Sequence, residues 1–224
     1  MDLGLMCANI AKLWTNYWHI YLIEGVVTTL KLTVFAVVLG ALLGVVVAML
    51  KMSKSKIIRF LITAYIEIIR GTPLLLQLML FYFVLPELIP IFDFSEFTWV
   101  AIALCINSSA YVSEIFRSGI QSVDKGQTEA ARSLGLSSRQ TMLRIVMPQA
   151  IKNILPALGN EFIMMLKETS LASTFFIGDL MTSHLIVKGA TFLMLESLII
   201  TGVIYFCMTY PLSKLVEAFE RKMK

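Results

Sequence analysis

Glu129-Ala-Ala-Arg-Ser-Leu-Gly135 is followed, ten residues after its glycine, by Ile145-Val-Met-Pro148. The stretch lies between segments long and apolar enough to cross a membrane. A loop so rich in alanine, punctuated by glycine and carrying Arg132, Arg139 and Arg144, suits lipid poorly. It suits a short helix docked on a protein at a membrane face. Asp124 is placed to cap a helix N-terminus, with Gln127 positioned to complete a reciprocal cap. Ala130, Ala131 and Leu134 then form a small apolar face, and Gly135 fits the left-handed position that ends a helix. Ser137 or Ser138 can start the next helix, and Pro148 lies where a new turn can begin. The expectation is two short helices with a tight corner between them. Glu129, near the first N-terminus, is favoured there by the helix dipole. The plainer alternative is an ordinary amphipathic surface loop.

The rest of the chain agrees with a membrane setting. Hydrophobic residues make up 58% and charged residues only 15%, which argues against a soluble domain. The net charge of +4 is gathered in particular loops and implies no nucleic-acid partner. Cys7, Cys105 and Cys207 are odd in number and two fall in apolar stretches, so no disulfide framework is expected. Cys7 has no apolar signal region before it, which argues against a lipid anchor, and no cleavable signal peptide is visible. Residues 1–20 carry Asp2, Lys12, Trp14, Trp18 and His19, the pattern of an amphipathic segment lying at the membrane interface.

Five apolar stretches approach the length of about twenty residues that a helix needs to span hydrocarbon. They cover residues 21–50, 57–85, 97–116, 154–177 and 191–210. The first holds Ala36, Gly40, Gly44 and Ala48, a stripe of small residues that lets another helix approach closely. Lys51, Lys54, Lys56 and Arg59 crowd the first connection, and the second has Glu87, Asp93 and Glu96 with no base. The third carries Lys125, Arg132, Arg139, Arg144 and Lys152, and the chain ends in Lys214, Arg221, Lys222 and Lys224. Basic loops stay in the cytoplasm. The expected fold is therefore an all-α membrane protein with five transmembrane helices, N-terminus outside and C-terminus cytoplasmic. The Glu-Ala-Ala loop, within residues 120–152, falls on the cytoplasmic side. The division is an interfacial segment 1–20, a transmembrane domain 21–213 in contact with membrane lipid, and a basic tail 214–224. No internal repeat supports an inverted-repeat carrier.

Ionisable groups at bilayer depth are costly and default to functional hypotheses. At about 1.5 Å rise per residue, Arg70 lies roughly 18–20 Å from the inner end of the second span, and Lys167 and Glu168 roughly 18–21 Å from that of the fourth. Asn107 lies roughly 15 Å from the outer end of the third. In hydrocarbon about 30 Å thick, these depths coincide near the middle. Arg70-Gly-Thr-Pro73 adds a helix break, because Pro73 lacks a backbone donor and Gly71 loosens the turn before it. Such a break is tolerated at depth where it is buried in protein or lines a cavity. Arg70 or Lys167 can meet a carboxylate, and Glu161 or Glu168 an ammonium, which together fit a zwitterion. Thr72, Gln77, Ser108 and Ser170 complete the candidate substrate-binding set. The structural alternatives are an Arg70–Glu67 pair one turn apart, a structural or gating role for Glu114 and Arg117, and inter-helix hydrogen bonding by Asn107, Ser108 and Ser109. His19 and His184 have no spaced partners that would make a metal site.

The loop resembles the "EAA" loop of membrane subunits of bacterial ABC importers, departing only at Met147, where that family usually has Leu. Ile69-Arg-Gly-Thr-Pro-Leu-Leu75, Asn107-Ser-Ser-Ala-Tyr-Val-Ser-Glu114, Gly159-Asn-Glu-Phe-Ile163 and Lys167-Glu168 look like the polar amino acid permeases of the His/Glu/Gln/Arg/opine class. The resemblance implies a multi-pass protein of the bacterial cytoplasmic membrane. It also implies a second permease subunit, a cytoplasmic ABC ATPase dimer, an extracytoplasmic solute-binding protein and a polar amino acid substrate. Glu129, Ala130, Ala131, Leu134, Gly135 and Pro148 would couple to the ATPase. The chain has no Gly-x-x-x-x-Gly-Lys-Ser/Thr loop, so ATP and Mg would be held by that partner and no catalysis or cofactor is expected here. The competing readings are an ion-coupled secondary carrier or small channel, and a purely structural assembly subunit.

Overall fold

The computed structural model describes residues 3–223, and these are helical with no strand among them. Asp2 of the expected interfacial segment and Lys224 of the basic tail lie outside the described residues. Helix α1 (Leu3–His19) passes through a π-wound stretch, Ile20–Val26, into α2 (Val27–Lys51). The run is 49 residues long. That is more than twice the roughly 20 residues that a helix needs to span hydrocarbon. The segment expected to lie apart at the interface is thus helical and continuous with the first span.

The small-residue stripe of α2 packs on α6 (Glu96–Gln121). A Cβ at Gly44 would stand 2.7 Å from Val112 Cγ1 and 2.9 Å from Ser109 O, and one at Gly40 2.8 Å from Ser108 Cβ. Leu32, Ala36, Leu78, Val100, Leu104 and Met165 form a core around this contact. A second core joins Leu13 and Tyr21 to Leu180 and Val187 of α10 (Leu180–Thr191) and to Ile200 and Ile204 of α11 (Met194–Met223).

The expected second span is not one straight helix. α3 (Lys56–Gly71) meets the next helical stretch, Leu74–Leu88, at 106°. That stretch comprises α4 (Leu74–Met79), a π-wound segment Leu80–Val84 and α5 (Leu85–Leu88). The cause is local. Thr72 is driven out of helical geometry by the proline after it (φ −116°, ψ 148°), and Pro73 itself is extended (ψ 136°). Two consecutive extended residues turn the chain rather than loosen it.

Beyond α6, α7 (Lys125–Ser133) begins at Asp124, whose Oδ1 accepts from Gly126 N at 2.6 Å. The reciprocal cap forms at Ser137 and Gln140 rather than at Asp124 and Gln127. Ser137 starts α8 (Ser138–Thr141), which does not end as a short helix. It runs through a π-wound turn, Met142–Val146, into α9 (Met147–Glu168). The wider π turn takes Pro148 without a break. A 3₁₀ segment, Thr169–Phe175, extends this run before a 44° bend into α10. Phe176 (φ 52°) and Gly178 (φ 90°) make the bend. The stretch expected to link the spans 154–177 and 191–210 is therefore largely a helix, with Leu180, Thr182, His184 and Val187 buried. α11 continues to Met223, so the described part of the basic tail is helical.

Among the described residues, three helical runs are long and apolar enough to cross a membrane: Leu3–Lys51, Glu96–Gln121 and Met194–Met223. Each of the two bent pairs can supply one more.

Candidate functional site

Helical spacing of three and four puts Asn107, Tyr111, Glu114 and Ser118 on one face of α6. The same rule aligns Ala157, Glu161, Met164 and Glu168 along α9. Where these faces meet the end of α3, a cleft of about 490 Å³ opens, lined by Arg70, Tyr111, Glu114, Arg117, Asn160 and Glu161 among others.

Glu114 organises one wall. Its Oε1 accepts from Lys51 Nζ at 2.6 Å, and its Oε2 accepts from Arg117 Nη2 at 2.7 Å and Nε at 2.9 Å. Arg70 Nη1 lies 3.8 Å from Oε2, and the guanidinium sits 5.3 Å from the centre of the Tyr111 ring. Three cations thus face one carboxylate, so this wall keeps a positive excess. The acidic neighbour of Arg70 is Glu114 on α6 rather than Glu67 one turn back. The Arg70 side chain is 41% exposed, so its contact with Glu114 is weak and the guanidinium remains available to a ligand. Lys51 and Glu114 are far better covered, at 18% and 15%, and hold the end of α2 to α6.

The lining also carries Glu161, 3% exposed, whose Oε1 accepts from Ser108 Oγ at 3.1 Å. A cluster of cations and a second carboxylate lining one cleft give an arrangement that can hold a small molecule bearing both charges.

The remaining candidates sit elsewhere. Pro73 has no N–H to offer Ile69 O, and Gln77 Nε2 takes that carbonyl at 2.7 Å. The same nitrogen reaches Thr72 O at 3.1 Å and Thr72 Oγ1 at 2.9 Å. Thr72 Oγ1 donates to Ile68 O at 2.8 Å, and Asn107 Nδ2 donates to Gln77 Oε1 at 2.9 Å. Thr72, Gln77 and Asn107 therefore close the break on itself. Ser108 reaches the cleft through Glu161. Lys167 is exposed, Glu168 and Ser170 are half-buried, and none of the three lines the cleft.

On the loop, Gly135 has φ +85° and Leu136 N bonds back to Ala131 O at 3.1 Å. The expected apolar face of the loop is divided. Ala131 is buried against the chain, while Ala130 is exposed and Leu134 is 82% exposed. Glu129 and Pro148 are also exposed.

A second polar cluster went unread in the sequence. Tyr21 Oη lies 2.6 Å from Ser197 Oγ, and His184 Nδ1 lies 2.9 Å from the same oxygen. Asp179 caps α10 through Met181 N at 2.9 Å, and Thr29 Oγ1 accepts from Leu180 N at 3.0 Å. Ser197, Thr201 and Tyr205 repeat every fourth residue on α11, and that period was the available signal.

Residues 36–224 match the family described as the binding-protein-dependent transport system inner membrane component. The chain belongs to that family. It is 41% identical over 204 residues to the arginine transport system permease protein ArtQ of Bacillus subtilis (strain 168), covering 91% of this chain and 93% of the relative. It is 42% identical over 228 residues to the nopaline transport system permease protein NocM of Agrobacterium fabrum, covering 98% and 91%. A crystal structure of an amino acid ABC transporter with histidines superposes with a TM-score of 0.88 at 49% identity, covering 93% of this chain and 96% of that one. The inward-facing MetNI methionine ABC transporter, at 16% identity, TM-score 0.69 and coverage of 89% and 96%, shares the fold. Membership in a family of membrane components of ABC transport systems favours the permease reading over an ion-coupled carrier or small channel. It also places ATP hydrolysis in a separate subunit.

Proposed function

We propose that this chain is the permease subunit of an ATP-binding-cassette importer that brings a polar amino acid into a bacterial cell by alternating access. The observation that carries the substrate class is a cleft whose lining combines Arg70 and Arg117 with Glu161. A guanidinium with 41% of its side chain exposed suits an α-carboxylate, and the Glu161 carboxylate suits an ammonium. Relatives named for arginine, glutamine and nopaline transport support that class.

The chain spans the membrane five times, each bent pair forming one span, with its N-terminus outside and its C-terminus in the cytoplasm. The basic loops support that orientation. The corner of α7 and α8 docks on a cytoplasmic ABC ATPase dimer, with exposed Leu134 at its tip. A second permease subunit and an extracytoplasmic solute-binding protein complete the complex. ATP and Mg are held by the ATPase. Lys167, Glu168 and Ser170, above the cleft on α9 and its extension, lie along the route.

The test is a competition panel on the purified complex reconstituted with its binding protein. Unlabelled polar amino acids should displace a labelled one during ATP-driven uptake, and amines or carboxylates with a single charge should not. Displacement by the singly charged compounds at equal concentration would remove the zwitterion assignment.

A further inference from the structure

The connection leading into α3 and the first two turns of that helix carry two chemistries side by side. Lys54, Lys56 and Arg59 are exposed, and among the described residues no ion pair joins them to a carboxylate. Lys51, from the same basic connection, is already held by Glu114 at 2.6 Å. Beside the three cations, Ile57 is 73% exposed, Phe60 71% and Leu61 59%.

Helical periodicity sorts these residues into stripes. Ile57, Phe60, Leu61 and Ile68 share one outward face. Lys56 occupies the adjoining stripe. Arg59 heads the side on which Ile66, seven residues on, is fully buried, opposite the apolar stripe, and Tyr65 Oη donates to Ile106 O of α6 at 3.0 Å. The helix thus already has its protein-facing side, and the apolar stripe is additional. Water solvates the three cations but not the bulky side chains interleaved with them. A phosphodiester above acyl chains matches both at once.

We infer that the corner between α2 and α3 is a binding site for anionic phospholipid. Lys54, Lys56 and Arg59 hold the headgroup, and Ile57, Phe60 and Leu61 lie against its acyl chains. α3 runs from this corner to Arg70 in the cleft, so lipid held at the first turn steadies the helix whose far end meets the substrate. The inference rests on the permease reading for its leaflet, the cytoplasmic one.

The test uses the purified permease–ATPase complex in nanodiscs, with phosphatidylglycerol and phosphatidylcholine as the competing probes and native mass spectrometry as the readout. The wild-type complex should retain phosphatidylglycerol in preference to phosphatidylcholine. The Lys54→Gln/Lys56→Gln/Arg59→Gln variant should bind it roughly a hundredfold more weakly, by the strength of basic residues near an anionic surface. Lys54→Arg/Lys56→Arg/Arg59→Lys keeps the charge and should keep the preference. Lys12→Gln/Lys31→Gln/Lys188→Gln removes as many cations elsewhere and should keep it too. Equal retention by the first variant and the wild type overturns the site. So does loss of the ATPase or of a second permease copy from that variant in the same spectra, since the patch is then a protein interface. Amino acid uptake by the wild-type complex is measured alongside. Its absence in every lipid defeats the permease reading and leaves the lipid result to stand by itself.

Discussion

The most consequential single exchange in the chain is between Pro73 and Gln77. The proline removes the amide that would have bonded Ile69 O, and the glutamine supplies a donor in its place at 2.7 Å. Gln77→Leu leaves that carbonyl and Thr72 O without this donor in a partly buried setting, which costs about 1 kcal/mol, the lower end of the range for a buried unsatisfied group. The thermal midpoint of the detergent-solubilised subunit should fall accordingly. Pro73→Ala returns the missing amide, so the same Gln77→Leu change should cost less in that background. Losses that simply add would show that Gln77 does not serve Ile69. Arg70 behaves differently, because its contact with Glu114 is long and half in solvent. Arg70→Gln keeps hydrogen-bond donors and removes the charge. Uptake should drop by at least tenfold while basal ATP hydrolysis and assembly of the complex persist. Collapse of assembly would make Arg70 a structural partner of Glu114, and unchanged uptake would pass the role to Lys167.

Among the elements, the α7–α8 corner is the one built most strictly from local chemistry. Gly135 sits at φ +85°, and no heavy atom lies within 4 Å of where its Cβ would be. Gly135→Val therefore meets no neighbour; its strain is in the backbone alone, about 1–3 kcal/mol for a β-branched residue held there. The variant should insert and assemble, hydrolyse ATP, and fail to couple hydrolysis to uptake. Wild-type uptake by a well-expressed variant would refute a coupling role for the corner. This corner was legible in the sequence because a capping side chain and a left-handed glycine act over a few residues. The 106° turn at Thr72-Pro73 was legible as a break but not as an angle, which is set by two successive backbone ψ values. The continuity of α8 with α9 was hidden, since Pro148 reads as a start in sequence while a π turn absorbs it in space. At the cleft, Arg70 and Glu161 were visible as charges out of place in apolar stretches. The tie between Lys51 and Glu114 was not, because it joins residues 63 apart through tertiary packing.

For the molecule as a whole, the question is which side of the membrane each end of the helices faces. Helix geometry alone is symmetric to that choice, and hydrophobic packing of α2 on α6 is the same either way up. Charge breaks the symmetry. The connection containing Asp93 has acids and no base, whereas the stretch from Lys125 to Lys152 carries Arg132, Arg139 and Arg144. Segments rich in Lys and Arg are retained in the cytoplasm during insertion. Asp93 and Ser138 are both exposed, so a reagent in the adjoining water can reach either. In a background with Cys7, Cys105 and Cys207 replaced by Ser, Asp93→Cys should react with a membrane-impermeant maleimide in intact cells. Ser138→Cys should react only after the cells are opened. The two variants control for each other, because permeabilisation must raise labelling at one and leave the other unchanged. Reversed labelling would place the α7–α8 corner outside, beyond the reach of a cytoplasmic ATPase. The cationic corner of α3 would then face the outer leaflet, and the coupling role assigned to Leu134 and Gly135 would fall with the orientation.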